Sequence, residues 1–159
     1  IEKEYTALVL GVPHKEEGEI DLPIGTEIRT NKLRAGGKDP KEARTTFKIV
    51  QKFRGYSLLS VKPVTGRQHQ IRIHLEAVGH PLAIDRLYGG KDALMLSDFK
   101  RRYVPNRRDE ERPLMDRLSL HASRIVFRSP ETDEPVEVTA DFPKDFRIVL
   151  KQLGKWARA

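Results

Sequence analysis

Between Ser57 and Val78 the chain changes its period. Ser57 to Val64 is rich in apolar and β-branched residues and reads as a strand. From Gln68 onward Ile71, Leu75 and Val78 recur on one helical stripe, and Gly79 follows as a C-terminal stop. Only the segment around Thr65 and Gly66 separates the two patterns. A strand therefore hands the chain almost directly to a helix start. The rest of the sequence must supply partners for the strand and a surface to cover the stripe.

It supplies mostly strands. Glu4 to Val12 is apolar and β-rich and stops at Pro13; Glu19 to Ile24 alternates, and Pro23 confines it to an edge or an end. Thr45–Phe53 and Ser57–Val64 form a hairpin across Arg54-Gly55-Tyr56, and Ser123–Phe127 with Pro135–Thr139 form a second. Residues 30–44, with Gly36, Gly37 and Pro40, read as loop, and residues 80–90 as a short strand entering a turn. Residues 91–117 mix both charge signs at high density, with Pro105 and Pro113 as breaks, and read as an exposed insertion, with one short helix at 97–103. Pro143 opens a final helix with Phe146, Leu150, Leu153 and Trp156 as its core stripe. Residues 1–159 thus read as a single α+β domain, a mixed and mainly antiparallel sheet with the helices packed on one face of it.

Composition narrows the function. A formal charge of +7 favours an anionic partner, nucleic acid ahead of a membrane surface. A modest basic excess without specific purpose is the bland alternative. The absence of cysteine removes disulfides, thiolate metal sites and cysteine nucleophiles, and fits a reducing compartment, taken as the cytoplasm. No apolar run approaches the roughly 20 residues that span a bilayer, so no membrane role is expected. The chain opens at Ile1 directly into a strand pattern and reads as a piece of something longer.

The densest stretch is Thr65-Gly66-Arg67-Gln68-His69-Gln70-Ile71-Arg72-Ile73-His74-Leu75. A helix start exposes unpaired N–H groups and a positive dipole end, which suits a phosphate, and Arg67 adds a planar fork of donors. Thr65, Gly66, Arg67, Gln68 and His69 are therefore candidate RNA contacts. Arg72 shares the flank of the stripe with Gln68 and can reach a cleft; a surface pair with Glu76 explains it equally well. His69 and His74 diverge on a helix and have no carboxylate ligands at useful spacing, so no metal site is expected.

That stretch, with Gly79-His80-Pro81-Leu82 and Asp85 to Gly89, resembles the TGRxHQIRxHL…GHP…GDxxYG signature of RluA-type RNA pseudouridine synthases. Glu2 to Val9 resembles the family's EKxYxALV strand, and Leu120-His121-Ala122 with Phe127 to Pro130 resembles its LHA segment. Asp141 to Phe146 resembles its closing loop and helix, so the likeness runs along nearly the whole chain. Ile84 stands where the family has Gly, and 91–117 exceeds the minimal pattern.

The resemblance implies isomerisation of uridine to pseudouridine in structured RNA, ribosomal RNA ahead of transfer RNA, by a monomer with one aspartate and no cofactor or metal. It implies that Arg72 pairs with the catalytic aspartate, that Tyr5 stacks on the uracil, and that Leu120 lines the base pocket. In the family that aspartate lies in an HRLDxxTSG segment upstream of the EKxY strand. No such segment occurs in these residues, and Asp85 is not its counterpart. The 159 residues are accordingly expected to be inactive alone, with Arg72 exposed, holding a stray anion, or paired with Glu76. A non-catalytic RNA-binding module is the competing reading. Without the resemblance, Tyr5 is an ordinary strand aromatic and Leu120 an ordinary core leucine.

Overall fold

A computed structural model describes residues 1–104 and 111–159. The expected break at Pro105 lies outside the described residues. The sequence's long apolar strand is β1 (Glu2–Leu10), and the two hairpins are β6 (Arg44–Phe53) with β7 (Tyr56–Pro63), and β8 (Leu120–Arg128) with β9 (Pro135–Thr139). With β2 (Glu17–Asp21) they form one six-stranded sheet in the order β2-β6-β7-β1-β8-β9, every neighbouring pair antiparallel. β2 takes an edge, consistent with a proline two residues beyond its end.

Segment 30–44 is not simply loop. It contains β4 (Leu33–Ala35) and β5 (Lys38–Lys41), which flank β3 (Ile24–Thr26) in a second, three-stranded sheet. β4 is three residues long and β5 four, with lysine at both its ends, so neither is long enough to carry a readable apolar alternation. Glycine makes them possible. A Cβ on Gly25 would collide with the carbonyl oxygens of Gly36 and Lys38, and Gly37 sits at φ +75° against the Gly25–Thr26 backbone.

The helices α1 (Gln70–Ala77) and α2 (Lys144–Trp156) lie on opposite faces of the large sheet, not on one. Alternation along β1 sends Ala7 and Val9 toward Ile71 and Leu75 of α1, and Leu8 toward Phe146, Val149 and Leu153 of α2. β6 serves both faces because of a bulge. Its register shifts between Ile49 and Gln51, leaving Val50 exposed, so Ile49 joins the α1 side and Phe53 the α2 side. A single extra residue that reverses facing is invisible to a period-2 reading.

α1 is buried on two sides. Ile71 and Leu75 meet the large sheet, while Ile73 meets Ile24 and Ala43 beside the small one. Val78, the third residue of the expected stripe, is exposed. α2 buries Phe146, Val149 and Leu153, with Leu150 and Trp156 at the margin.

Residues 80–90 contribute only isolated bridges, Val9 with Leu82 and Ile84 with Lys91, and no strand. The described residues of the 91–117 segment are less exposed than its charge suggests. A 3-10 turn at Leu96–Asp98 replaces the expected helix, and Leu94, Phe99 and Met115 are buried against Leu8 and α2. Leu94→Ala should therefore cost about 2–5 kcal/mol in urea unfolding. A change within about 0.5 kcal/mol, the norm for surface positions, would mean that the segment does not belong to the core.

Candidate RNA-binding cleft

The antiparallel register places Tyr5 opposite Val61 of β7, and Leu120 of β8 opposite Ala7 of β1. Partners across a ladder share a face, so Tyr5 and Leu120 both look toward α1. A bulge at Glu4/Tyr5 shifts the β1–β8 register beside Tyr5. β7 then ends and the chain turns through Thr65 and Gly66 into α1. The result is a cleft of about 470 Å³ walled by Tyr5, Leu118 and Leu120 on the sheet side and by Thr65, Gly66, Arg67, His69 and Arg72 on the other. That volume lies within the range of small-ligand pockets. Of the expected contacts only Gln68 is absent from its walls; it is exposed. Among the described residues no carboxylate lines the cleft.

The turn into α1 is pinned by a buried polar network that the sequence reading did not assign. Gln70, 3% exposed, donates through Nε2 to the Arg44 carbonyl (2.8 Å) and Thr45 Oγ1 (2.9 Å). Its Oε1 accepts from the Thr65 hydroxyl (2.7 Å) and the Arg67 amide (3.0 Å), so every hydrogen-bonding position of the carboxamide is used. Thr65 Oγ1 also accepts from the Arg44 amide. His74 extends the chain, bridging Thr45 Oγ1 and the Leu22 carbonyl at 2.8 Å each. A carbonyl can only accept, so neutral His74 carries its proton on Nε2 and Thr45 donates to Nδ1. Burial pushes the His74 imidazole below its ordinary value, in agreement with that neutral form. Thr65, Gln70 and His74 thus act as structural clamps, and His74 is no metal ligand here.

Arg72 departs most from expectation. It is neither free nor paired with Glu76: Nε and Nη2 grip both oxygens of Asp85 at 2.9 and 2.8 Å. The Asp85 side chain has no solvent exposure, and its Oδ1 also accepts from the Leu87 and Tyr88 amides. Burial works to raise the Asp85 carboxyl. The guanidinium and the two amides outweigh it and leave the group below the usual carboxylate range. The Asp-x-x-Tyr spacing, an Asx turn with the carboxylate reaching amides two and three residues on, was the available signal. Arg72 still lines the cleft, but its charge is already matched.

Arg67 is the guanidinium that remains available. Nε donates to the Glu42 carbonyl (2.8 Å), which fixes the side chain, and it has no carboxylate partner among the described residues. Beside it His69 lies in the left-handed region at φ 56°, and its Nδ1 is 3.0 Å from the Tyr88 hydroxyl. Burial first, and the Arg72 charge second, lower the His69 imidazole; Asp85 opposes them.

The loss of Asp85 should be severe. Asp85→Asn leaves the Arg72 guanidinium partly buried without its counter-charge and should cost about 3–5 kcal/mol in urea unfolding. The sign with pH follows from the lowered carboxyl: its stabilisation is complete above the unfolded value of about 4 and is lost as pH falls through the native one. The variant should therefore lose that part of the acid dependence. A cost below about 1 kcal/mol, the scale of an exposed pair, would contradict this.

Comparison with known proteins follows the same geometry. A family model described as RNA pseudouridylate synthase matches residues 1–77, which contain Tyr5, Arg67 and Arg72. An uncharacterized RNA pseudouridine synthase of Chlorobaculum parvum is 37% identical over 157 residues, covering 96% of this chain and 47% of the relative. The ribosomal large subunit pseudouridine synthase C of Vibrio vulnificus is 31% identical, covering 96% and 44% respectively. The chain thus spans about half the length of the curated relatives it matches. Among solved structures, human RNA pseudouridylate synthase domain containing 1 superposes with a TM-score of 0.67 at 27% identity, over 89% of this chain and 55% of that one.

Proposed function

Because the chain belongs to the RNA pseudouridine synthase family, we propose that its cleft receives a uridine turned out of structured RNA and holds it for isomerisation to pseudouridine. The observation that carries this is the cleft itself: an aromatic ring and two leucines face a helix start bearing an available guanidinium and a histidine. The apolar wall suits the face of a base, and the opposite wall suits the phosphates and sugar edges that must stay solvated or paired. Extruding a base costs a few kcal/mol, which stacking on Tyr5 helps to offset.

The reaction breaks the N1–C1′ bond, rotates the uracil, and joins C5 to C1′; the proton lost from C5 is balanced by one gained at N1. The family's mechanism uses an aspartate, and the walls described here are free of carboxylates. Asp85 is sealed behind Arg72 and cannot reach a sugar in the cleft. On this reading the working carboxylate is that of the HRLDxxTSG segment which the resemblance implies, and it meets the cleft from outside the walls described here. Arg67 suits it best as a partner, since Arg72 is occupied; this reassigns the role that the resemblance first suggested for Arg72. Arg67 can instead grip a phosphate, and its fork fits either anion. Tyr5 and Leu120 both line the cleft, which supports the roles beside the base that the resemblance implies. Ribosomal RNA is the favoured target, following the name of the Vibrio relative.

On this reading the 159 residues bind RNA without isomerising it. Binding to a uridine-bearing stem-loop should weaken steeply with salt, and Arg67→Ala should lower the log–log slope by on the order of 0.7–0.9. The same RNA tritiated at uridine C5 should release no label above background. Salt-independent binding, or tritium release by the chain alone, would overturn the proposal.

A further inference from the structure

Tyr88 is 2% exposed and does not line the cleft, yet two cleft residues, Arg72 and His69, converge on it together with Lys32. The Arg72 guanidinium lies 5.0 Å from its ring centroid, and the Lys32 ammonium, from beside the small sheet, lies 4.6 Å away. Lys32 also donates to the Leu87 carbonyl at 2.6 Å, tying that region to the Asp85 turn. The His69 ring stands edge-on to Tyr88, centroids 5.6 Å apart and planes at 73°, with Nδ1 at 3.0 Å from the hydroxyl. Tyr88 is itself fixed from behind, its amide donating to the Asp85 carboxylate that Arg72 grips.

His69 needs such a support. It is the N-cap of α1 in the left-handed region, where a non-glycine residue is strained, and its side chain makes no capping hydrogen bond to offset that. A strained backbone persists only where its surroundings hold it. The Gln70 clamp holds the turn just before it, and the contact that holds the His69 side chain itself is the Tyr88 hydroxyl. The turn that it fixes brings Arg67 and His69 to the cleft wall within three residues of chain.

We infer that Tyr88 is a positioning residue for RNA binding: through its hydroxyl it fixes the His69 ring and, with it, the left-handed helix start that presents Arg67 and His69 to the RNA strand. This rests on the reading of the cleft as an RNA site. Tyr88 touches no substrate and acts through His69. With the hydroxyl as donor, neutral His69 carries its ring proton on Nε2, leaving an N–H on a side chain that lines the cleft.

Tyr88→Phe keeps the ring, and hence the two cation contacts and the edge-on packing, while removing the one hydroxyl. Three quantities should be read together: the melting temperature, the ring-nitrogen NMR shifts of His69, and the Kd for a uridine-bearing stem-loop RNA. The melting temperature should move by only a few degrees. The His69 nitrogen shifts should move toward a mixed-tautomer pattern, and Kd should rise about 3- to 10-fold, the scale of one net hydrogen bond. His69→Gln, which cuts the same link from the cleft side, should raise Kd similarly, and the double variant should lose no more than either alone. Unchanged His69 shifts, an unchanged Kd, or additive losses would each overturn the inference. If the unaltered chain itself binds no RNA at low salt, the reading of the cleft fails first, and the His69 shifts still decide whether Tyr88 holds the ring.

Discussion

A carboxylate with no solvent exposure must be met by charge and by hydrogen bonds, and Asp85 is met by Arg72, Leu87 and Tyr88 together. The pairing joins α1 to the turn that follows it and thereby fixes one wall of the cleft. It sets Tyr88 against His69, it occupies the guanidinium of Arg72, and it leaves Arg67 as the available donor fork. The second constraint is Gln70, whose saturated carboxamide ties the start of α1 to β6 through Arg44 and Thr45. Between them these two buried groups determine where the helix begins and which arginine is available to an anion. The clamp carries no net charge and the pair matches its own, so neither draws on the basic excess of the chain.

Much of this was legible before any coordinates. The passage from strand to helix at Thr65–Gly66, both large hairpins and the α2 stripe follow from period and from proline and glycine placement. The gathering of Tyr5, Leu120 and the helix start around one cleft followed from the family resemblance, and the register of β1 with β7 and β8 supplies its geometry. What escaped did so for identifiable reasons. β4 is too short to show a period, and β5 is both short and polar. The bulge at Val50 turns Phe53 to the face that carries α2, and the sheet, expected to carry both helices on one face, packs one on each. Leu94, Phe99 and Met115 are scattered among charges, and no window average reveals that each is buried.

The Arg72–Asp85 pair is the most instructive miss. Thirteen residues separate the partners, beyond the reach of helical i,i+4 reasoning, and the aspartate sits in a stretch that reads as a plain turn. The same blindness affected Gln70 and His74. Gln70 was given no role, and His74 was weighed only as a metal ligand and set aside; both are buried and fully bonded. A dense motif of polar residues was read as a set of contacts for RNA, and about half of it is internal scaffolding. The residues left facing outward, Arg67 and His69, are the ones the scaffold exists to present.

The central claim is that the cleft between Tyr5 and the start of α1 is where the uridine lies. Photocrosslinking with 5-bromouridine placed at the extruded position of a stem-loop RNA, followed by peptide mapping, tests it most directly. The account predicts adducts in the peptides that carry Tyr5 and residues 65–72, lost when Tyr5 is replaced by alanine or when excess unlabelled RNA competes. Adducts confined to α2 and the opposite face of the sheet would contradict it.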